Sequence, residues 1–278
     1  MNLIKRKTGN DLRADLKHLT VSYNDNGPED AGVIIFIHGF PLNKSMWNKQ
    51  VEAFKDTCRV IAYDIRGHGD SDEGKEDFSI ELFVNDLIAF MDALEITKAA
   101  LCGLSMGGYI ALNAVENYPE RFDALILCDT QCTEDSIEAK EKRLATIESI
   151  KKDGVEKYAD ASLKKLFAPI SFAGKKVEVA AVREMIINTS EKTLSNTLLA
   201  LAGRKESCSK LSEIKIPVLI LVGKEDQITP PEVSRMMNNE IPDAELYILE
   251  HAGHLSNMES PFEFNKQVKI FITVNKLI

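Results

Sequence analysis

Short runs of consecutive apolar residues recur along the chain. They are Val33–Ile37, Val60–Tyr63, Ala99–Cys102, Ala124–Cys128, Val218–Val222 and Leu246–Leu249. Each run is continuous rather than alternating, and most are rich in β-branched residues. That is the pattern of strands covered by helices on both faces of a parallel sheet. The stretch Leu19-Thr20-Val21-Ser22-Tyr23 differs, because its apolar and polar residues alternate. Alternation predicts a half-exposed antiparallel strand, expected to form an edge hairpin with residues near Leu3–Lys7. Helical spacing separates the runs. Ser79 is placed to cap a helix from Ile80 to about Leu94, and a second helix over Tyr109–Asn117 is stopped by Pro119. Buried strands alternating with helices predict an α/β fold with right-handed crossovers.

The rhythm changes between Gln131 and Cys208. No buried-strand run occurs there. Amphipathic helical stretches follow one another instead, over Ser136–Lys152, Val155–Phe167, Lys175–Asn188 and Glu191–Gly203. A single crossover rarely needs such length. The expected organisation is a core made of residues 1–130 and 209–278, with residues 131–208 inserted as a helical cap, or lid, over the sheet.

Composition narrows the function. Across 278 residues, 34 basic side chains face 43 acidic ones, a formal charge of −9. A nucleic-acid binder needs a basic face to displace counterions, and an anionic membrane surface attracts basic segments, so neither is expected as a partner. The hydrophobic share of 44% supplies a core and excludes disorder. The cysteines are five, an odd number, and none has zinc-ligand spacing. Cys102 and Cys128 lie inside apolar runs, and all five are expected to be reduced, buried thiols. Met1–Leu19 lacks the apolar centre of a signal peptide, and no uncharged stretch approaches the ~20 residues of a membrane span. A cytoplasmic protein is the expectation.

The chemistry lies just beyond the buried runs. His38-Gly39 follow the first, Asp64 and Arg66-Gly67-His68-Gly69 the second, Gly103-Leu104-Ser105-Met106-Gly107 the third, Asp129 the fourth, Asp226 the fifth, and His251 and His254 the last. In an open parallel sheet, the carboxyl ends of the strands face one crevice, where ligands bind. Ser105 is the focal residue. It sits between a strand and a helix, flanked by Gly103 and Gly107, where a sharp turn lifts the hydroxyl outward and small neighbours avoid collision. A serine hydroxyl needs a base. His18 is expected at the surface, and His38 and His68 in glycine-bounded turns. His254, after Gly253 in a late loop, is better placed than His251, which follows Glu250 directly at the strand end. The acid that orients the imidazole is expected to be Asp226, with Asp129 as its rival and Glu225 as a weaker one. The tetrahedral intermediate needs N–H donors. Met106, the residue after the nucleophile, supplies one. Phe40 supplies the second, since Pro41 has no N–H. The side chains of Phe40 and Met106 are also candidates to line the substrate pocket.

Taken together, His38-Gly39-Phe40-Pro41, Asp64-Ile65-Arg66-Gly67-His68-Gly69-Asp70-Ser71, Gly103-Leu104-Ser105-Met106-Gly107-Gly108, Gly223-Lys224-Glu225-Asp226 with Thr229-Pro230, and Gly253-His254 resemble the successive signatures of the α/β-hydrolase superfamily. The likeness runs from about Val33 to the C-terminus. It implies a Ser/Asp/His hydrolase with a helical cap and neither metal nor cofactor. It also marks His38-Gly39 as the oxyanion loop and Arg66-Gly67-His68-Gly69 as structural. The wording Gly-Leu-Ser-Met-Gly-Gly, with Trp47 after the oxyanion loop, is similar to 3-oxoadipate enol-lactonase-like enzymes and carboxylesterases. Cofactor-free perhydrolases share much of it. Epoxide hydrolases and dehalogenases share His-Gly-Phe-Pro but use an aspartate where this chain has Ser105. The expected partner is a small-molecule ester or lactone, and the expected intermediate is an acyl-enzyme. Perhydrolysis, C–C bond hydrolysis or a slow-turnover ligand receptor are the alternatives on the same triad. An enol-lactone substrate carries a carboxylate, which makes Arg143, Arg183 and Arg204 candidates to face the pocket.

Overall fold

A computed structural model of the chain describes residues 6–277. Eight strands form one sheet: β1 (Gly9–Asp15), β2 (Thr20–Asn26), β3 (Val33–Ile37), β4 (Arg59–Tyr63), β5 (Ala99–Leu104), β6 (Phe122–Cys128), β7 (Val218–Gly223) and β8 (Glu245–Leu249). Their order is β1-β2-β4-β3-β5-β6-β7-β8. The pairs β1–β2 and β2–β4 are antiparallel, and every pairing from β4 through β8 is parallel. Side chains alternate between two cores. Ile35 and Ile37 face one, Ile34 and Phe36 the other, and all four are buried. A strand covered on both faces has no polar side to show, which is why its sequence reads as an unbroken apolar run.

The helices are α1 (Asn48–Phe54), α2 (Ile80–Ala93), α3 (Met106–Asn117), α4 (Ile137–Asp153), α5 (Val155–Leu166), α6 (Ser171–Gly174), α7 (Lys176–Ile187), α8 (Glu191–Gly203), α9 (Pro231–Glu240), α10 (Ser256–Glu259) and α11 (Pro261–Val274). Side chains of α2, α3 and α9 complete the first core, and those of α1 and α11 the second. Ser79 caps α2 by accepting from the Leu82 N–H at 3.0 Å, as its sequence position predicts. Helices α4–α8 all lie between β6 and β7, and Ile147, Ile150, Leu194 and Leu198 form a small core of their own that packs on Phe40. Among the described residues, no helix is long and apolar enough to cross a membrane.

Two expectations change. The partner of β2 is Gly9–Asp15, not the stretch near Leu3–Lys7, of which Leu3, Ile4 and Lys5 lie outside the described residues. Leu12 and Ala14 turn inward while Asp11 and Arg13 stay exposed, so this segment has the alternation that a half-covered edge strand needs. The cysteines are not all reduced. Cys132 and Cys208, 76 positions apart, form a disulfide, while Cys58, Cys102 and Cys128 are free and buried. The chain leaves the sheet after β6 and returns before β7 at neighbouring points, so the two Cα atoms lie 4.9 Å apart. The adjoining backbones also bond, Ser207 N–H to Cys132 C=O at 2.8 Å. With two of the five cysteines paired, the cysteine count gives no argument for a reducing compartment.

Candidate active site

Ser105 joins β5 to α3 at φ 54° and ψ −113°, a conformation that side-chain-bearing residues rarely adopt. Its surroundings hold it there. The Ser105 N–H donates to Cys128 C=O at 2.9 Å. Its own C=O accepts from Gly108 N–H at 2.9 Å, Tyr109 N–H at 3.2 Å and the Thr130 hydroxyl at 2.8 Å. A Cβ on Gly103 would stand 2.2 Å from the Gly107 carbonyl oxygen, and one on Gly107 would stand 2.2 Å from that of Ile37. Only glycine lets the helix start this close to the strands. α3 therefore begins at Met106, three residues before the expected start, because the glycines belong to its first turn. The N–H groups of Met106 and Phe40 have no hydrogen-bond partner among the described residues.

His254 lies beyond β8 and is buried. Its Nδ1 is 2.8 Å from Asp226 Oδ2, a bond in which the imidazole N–H donates to the carboxylate. Asp226 is fixed in turn. Its Oδ1 accepts from Ile228 N–H at 2.8 Å and Thr229 N–H at 3.1 Å, and its Oδ2 accepts from the Thr229 hydroxyl at 2.7 Å. Burial pushes the Asp226 carboxyl up, but the facing imidazole and these donors outweigh it and hold the group below its ordinary range. Thr229 was legible only as part of a Thr-Pro-Pro turn; its contact with the carboxylate appears in three dimensions alone.

The rival residues sit elsewhere. Asp129 accepts from Gly223 N–H at 2.8 Å and from the Ser256 hydroxyl, so it ties the ends of β6 and β7 to the turn after His254. Burial, with Asp226 nearby, raises its pKa. His251 is exposed. His38 accepts from Ile65 N–H at 3.0 Å, and Arg66 is buried against Asp86 at 2.5 and 2.8 Å. His18 is exposed, as its sequence position predicts, and lies 3.1 Å from that same Asp86. No hydrogen bond joins Ser105 to His254, but both side chains open into one cavity.

That cavity has a volume of about 340 Å³. Ser105, His254, Phe40 and Met106 line it beside Tyr109, Leu166, Leu198, Leu201 and Ile228. Lys142, Arg143, Tyr158, Ser162 and Lys165, from α4 and α5, also line it, and among the described residues no acidic side chain does. Among the described residues neither Lys142 nor Lys165 forms an ion pair, although Lys142 lies within the field of Glu138 on the same helix. Arg143 is anchored by Asp135, which Arg204 also grips at 2.6 Å. Arg204 itself is buried, 4.4 Å over the Tyr109 ring, and Arg183 faces Asp160 at 2.7 Å. Of the three arginine candidates, only Arg143 reaches the cavity, while the two lysines were not anticipated. Among the described residues, no group of three or more His, Cys, Asp or Glu side chains is placed to hold a metal ion.

Comparison with known proteins shows the family. The model of the alpha/beta hydrolase fold family matches residues 32–261. A 3-oxoadipate enol-lactonase of Acinetobacter baylyi is 30% identical over 251 residues, spanning 90% of this chain and 92% of that one. A thermophilic esterase from Thermogutta terrifontis, solved with malate bound, superposes with a TM-score of 0.90 at 30% identity, covering 95% of this chain and 98% of its own. The enol-lactonase from Burkholderia xenovorans superposes at 0.88 with 28% identity, covering 94% and 100%. With its eight-stranded sheet, its helices on both faces and this match over most of its length, the chain belongs to the α/β-hydrolase family and is a hydrolase.

Proposed function

We propose that the chain cleaves small carboxylic esters or lactones through Ser105, His254 and Asp226, with residues 131–208 acting as a cap over the site. The observation that carries this is the meeting, in one cavity, of a hydroxyl on a strained turn and an imidazole whose far nitrogen is bonded to a buried carboxylate. Asp226 keeps the proton on Nδ1, which leaves Nε2 free to accept one. Substrate entry draws the serine and imidazole into a hydrogen bond, since such contacts tighten in the complex. Ser105 Oγ then attacks the carbonyl carbon while Nε2 takes its proton. The oxyanion is stabilised by the Met106 and Phe40 N–H groups, which have no other partner among the described residues. As the tetrahedral intermediate collapses, His254 returns the proton to the leaving alkoxide, leaving an acyl-Ser105. Water, deprotonated by His254, releases the acid and restores the hydroxyl.

The cationic wall narrows the substrate to one with negative charge in its acyl or alcohol portion. Three basic side chains facing a cavity with no acidic one are notable in a chain of charge −9. The similar esterase was solved with malate, a dicarboxylate. The test is Ser105→Ala with a fluorophosphonate probe. The wild type is expected to be labelled once, on Ser105, and the variant to lose nearly all turnover of short p-nitrophenyl esters. Wild-type rates in the variant would end the assignment.

A further inference from the structure

We propose that Glu259 is a positioning residue whose carboxylate ties the turn carrying His254 to the inserted helices, so that one buried group sets both the base and the roof of the cavity. The inference rests on the assignment of His254 as the base. Glu259 closes α10 and is only 4% exposed. Its Oε1 accepts from Gly253 N–H at 2.8 Å, directly before His254. Its Oε2 accepts from Ala168 N–H at 2.8 Å and the Ser171 hydroxyl at 2.6 Å, both on the segment that follows α5. The same seam is closed by His254 N–H donating to Leu166 C=O at 3.0 Å, and Leu166 lines the cavity. A Cβ on Gly253 would stand 2.6 Å from the Ala168 nitrogen, so the two backbones touch.

Glu259 does not line the cavity, so it acts through its neighbours. Its three donors come from opposite sides, two from the insertion and one from the histidine turn. A carboxylate accepts from all three at once. A glutamine has a single carbonyl oxygen, and whichever way it turns, its NH₂ faces a backbone N–H. Leaving a buried N–H without an acceptor is costly. The seam must then open on the Gly253 side or the Ala168 side, and either movement displaces the imidazole from the serine. Displacement of a reacting group by about 1 Å costs on the order of 10²-fold in rate.

The experiment compares wild type, Glu259→Gln, Glu259→Asp and Ser171→Ala, with active sites counted by fluorophosphonate labelling so that kcat is expressed per labelled serine. Glu259→Gln is expected to lower kcat by about tenfold or more with KM within about threefold. Glu259→Asp keeps the charge but loses reach, and is expected to lower kcat in the same direction with KM nearly unchanged. It also stands in if the glutamine variant does not fold. Ser171→Ala removes one donor, leaves both backbone links, and should stay within about threefold of wild type. A merely structural glutamate would lower the melting temperature and the labelled fraction but leave kcat per labelled serine unchanged, and that result overturns the proposal. Failure of the wild type to label at Ser105 would instead remove the assignment of Ser105 and His254 as nucleophile and base, and this inference with it.

Discussion

Asp226→Asn isolates the role of the acid, because the structure dictates which way the new amide must face. In the wild type, Oδ1 accepts two backbone N–H groups, from Ile228 and Thr229, at 2.8 and 3.1 Å. An asparagine must keep its carbonyl oxygen there, since an NH₂ would leave both amides facing a donor. Its NH₂ then occupies the Oδ2 position, 2.8 Å from His254 Nδ1 in the wild type. A donor at that point forces Nδ1 to accept, which moves the imidazole proton to Nε2. The base then points an N–H at Ser105 and cannot take the hydroxyl proton. A wrong tautomer in this arrangement costs about 10⁴-fold in kcat, or about 5 kcal/mol of transition-state stabilisation. Shape and volume are conserved, so the loss should appear in turnover rather than folding. The assay is single-turnover acylation by a short p-nitrophenyl ester at pH 7.5, beside circular dichroism and ¹⁵N spectra of the imidazole. A folded variant acylating within about tenfold of wild type, or one retaining the Nδ1–H tautomer, would refute this account.

Three further outcomes are expected. Replacing Lys142 and Lys165 together by glutamine should raise KM for a half-ester of a dicarboxylic acid by about tenfold while leaving a neutral ester of equal length nearly unchanged; equal effects on both would remove the charge argument. His38 and His68, with ring centres 5.2 Å apart, are held by burial at about 4 and about 3, below the ordinary 6.5. The unfolded chain therefore takes up their protons first, and stability present above pH 6.5 is lost as the pH falls towards 3. His68→Phe should flatten the urea-midpoint profile between those limits, and an unaltered slope would contradict the assignment. Replacing Cys132 and Cys208 by serine frees a loop closed over 76 positions and should cost about 2–4 kcal/mol in urea denaturation. An unchanged midpoint, with the bond verified by mass in the parent protein, would show that it contributes nothing.

What the sequence discloses follows from how local each feature is. The central strands are legible because burial on both faces leaves only apolar residues, as at Ile35 and Phe36. Ser105 is legible because its turn demands glycine on either side. The partner of β2 is harder, since an edge strand needs only one covered face, and Leu12 and Ala14 make a short signal. Thr229 and Glu259 read as ordinary polar residues because their meaning lies in partners supplied by distant segments. Lys142 and Lys165 escape for another reason. Most of α4 is exposed, only Ile147 and Ile150 being buried, so its pattern hardly reveals which side meets the cavity. The pairing of Cys132 with Cys208 depends on where the chain leaves and rejoins the sheet, which spacing does not encode.

That common point of exit and return has an engineering consequence. Because both roots of the inserted segment meet at a single locus beside the sheet, the helices between them make up a sealed ring of chain. A chimera could exchange the entire ring for the corresponding piece of another hydrolase at two adjacent junctions, leaving every strand pairing in place. Substrate preference would then travel with the graft while the nucleophile stayed with its host.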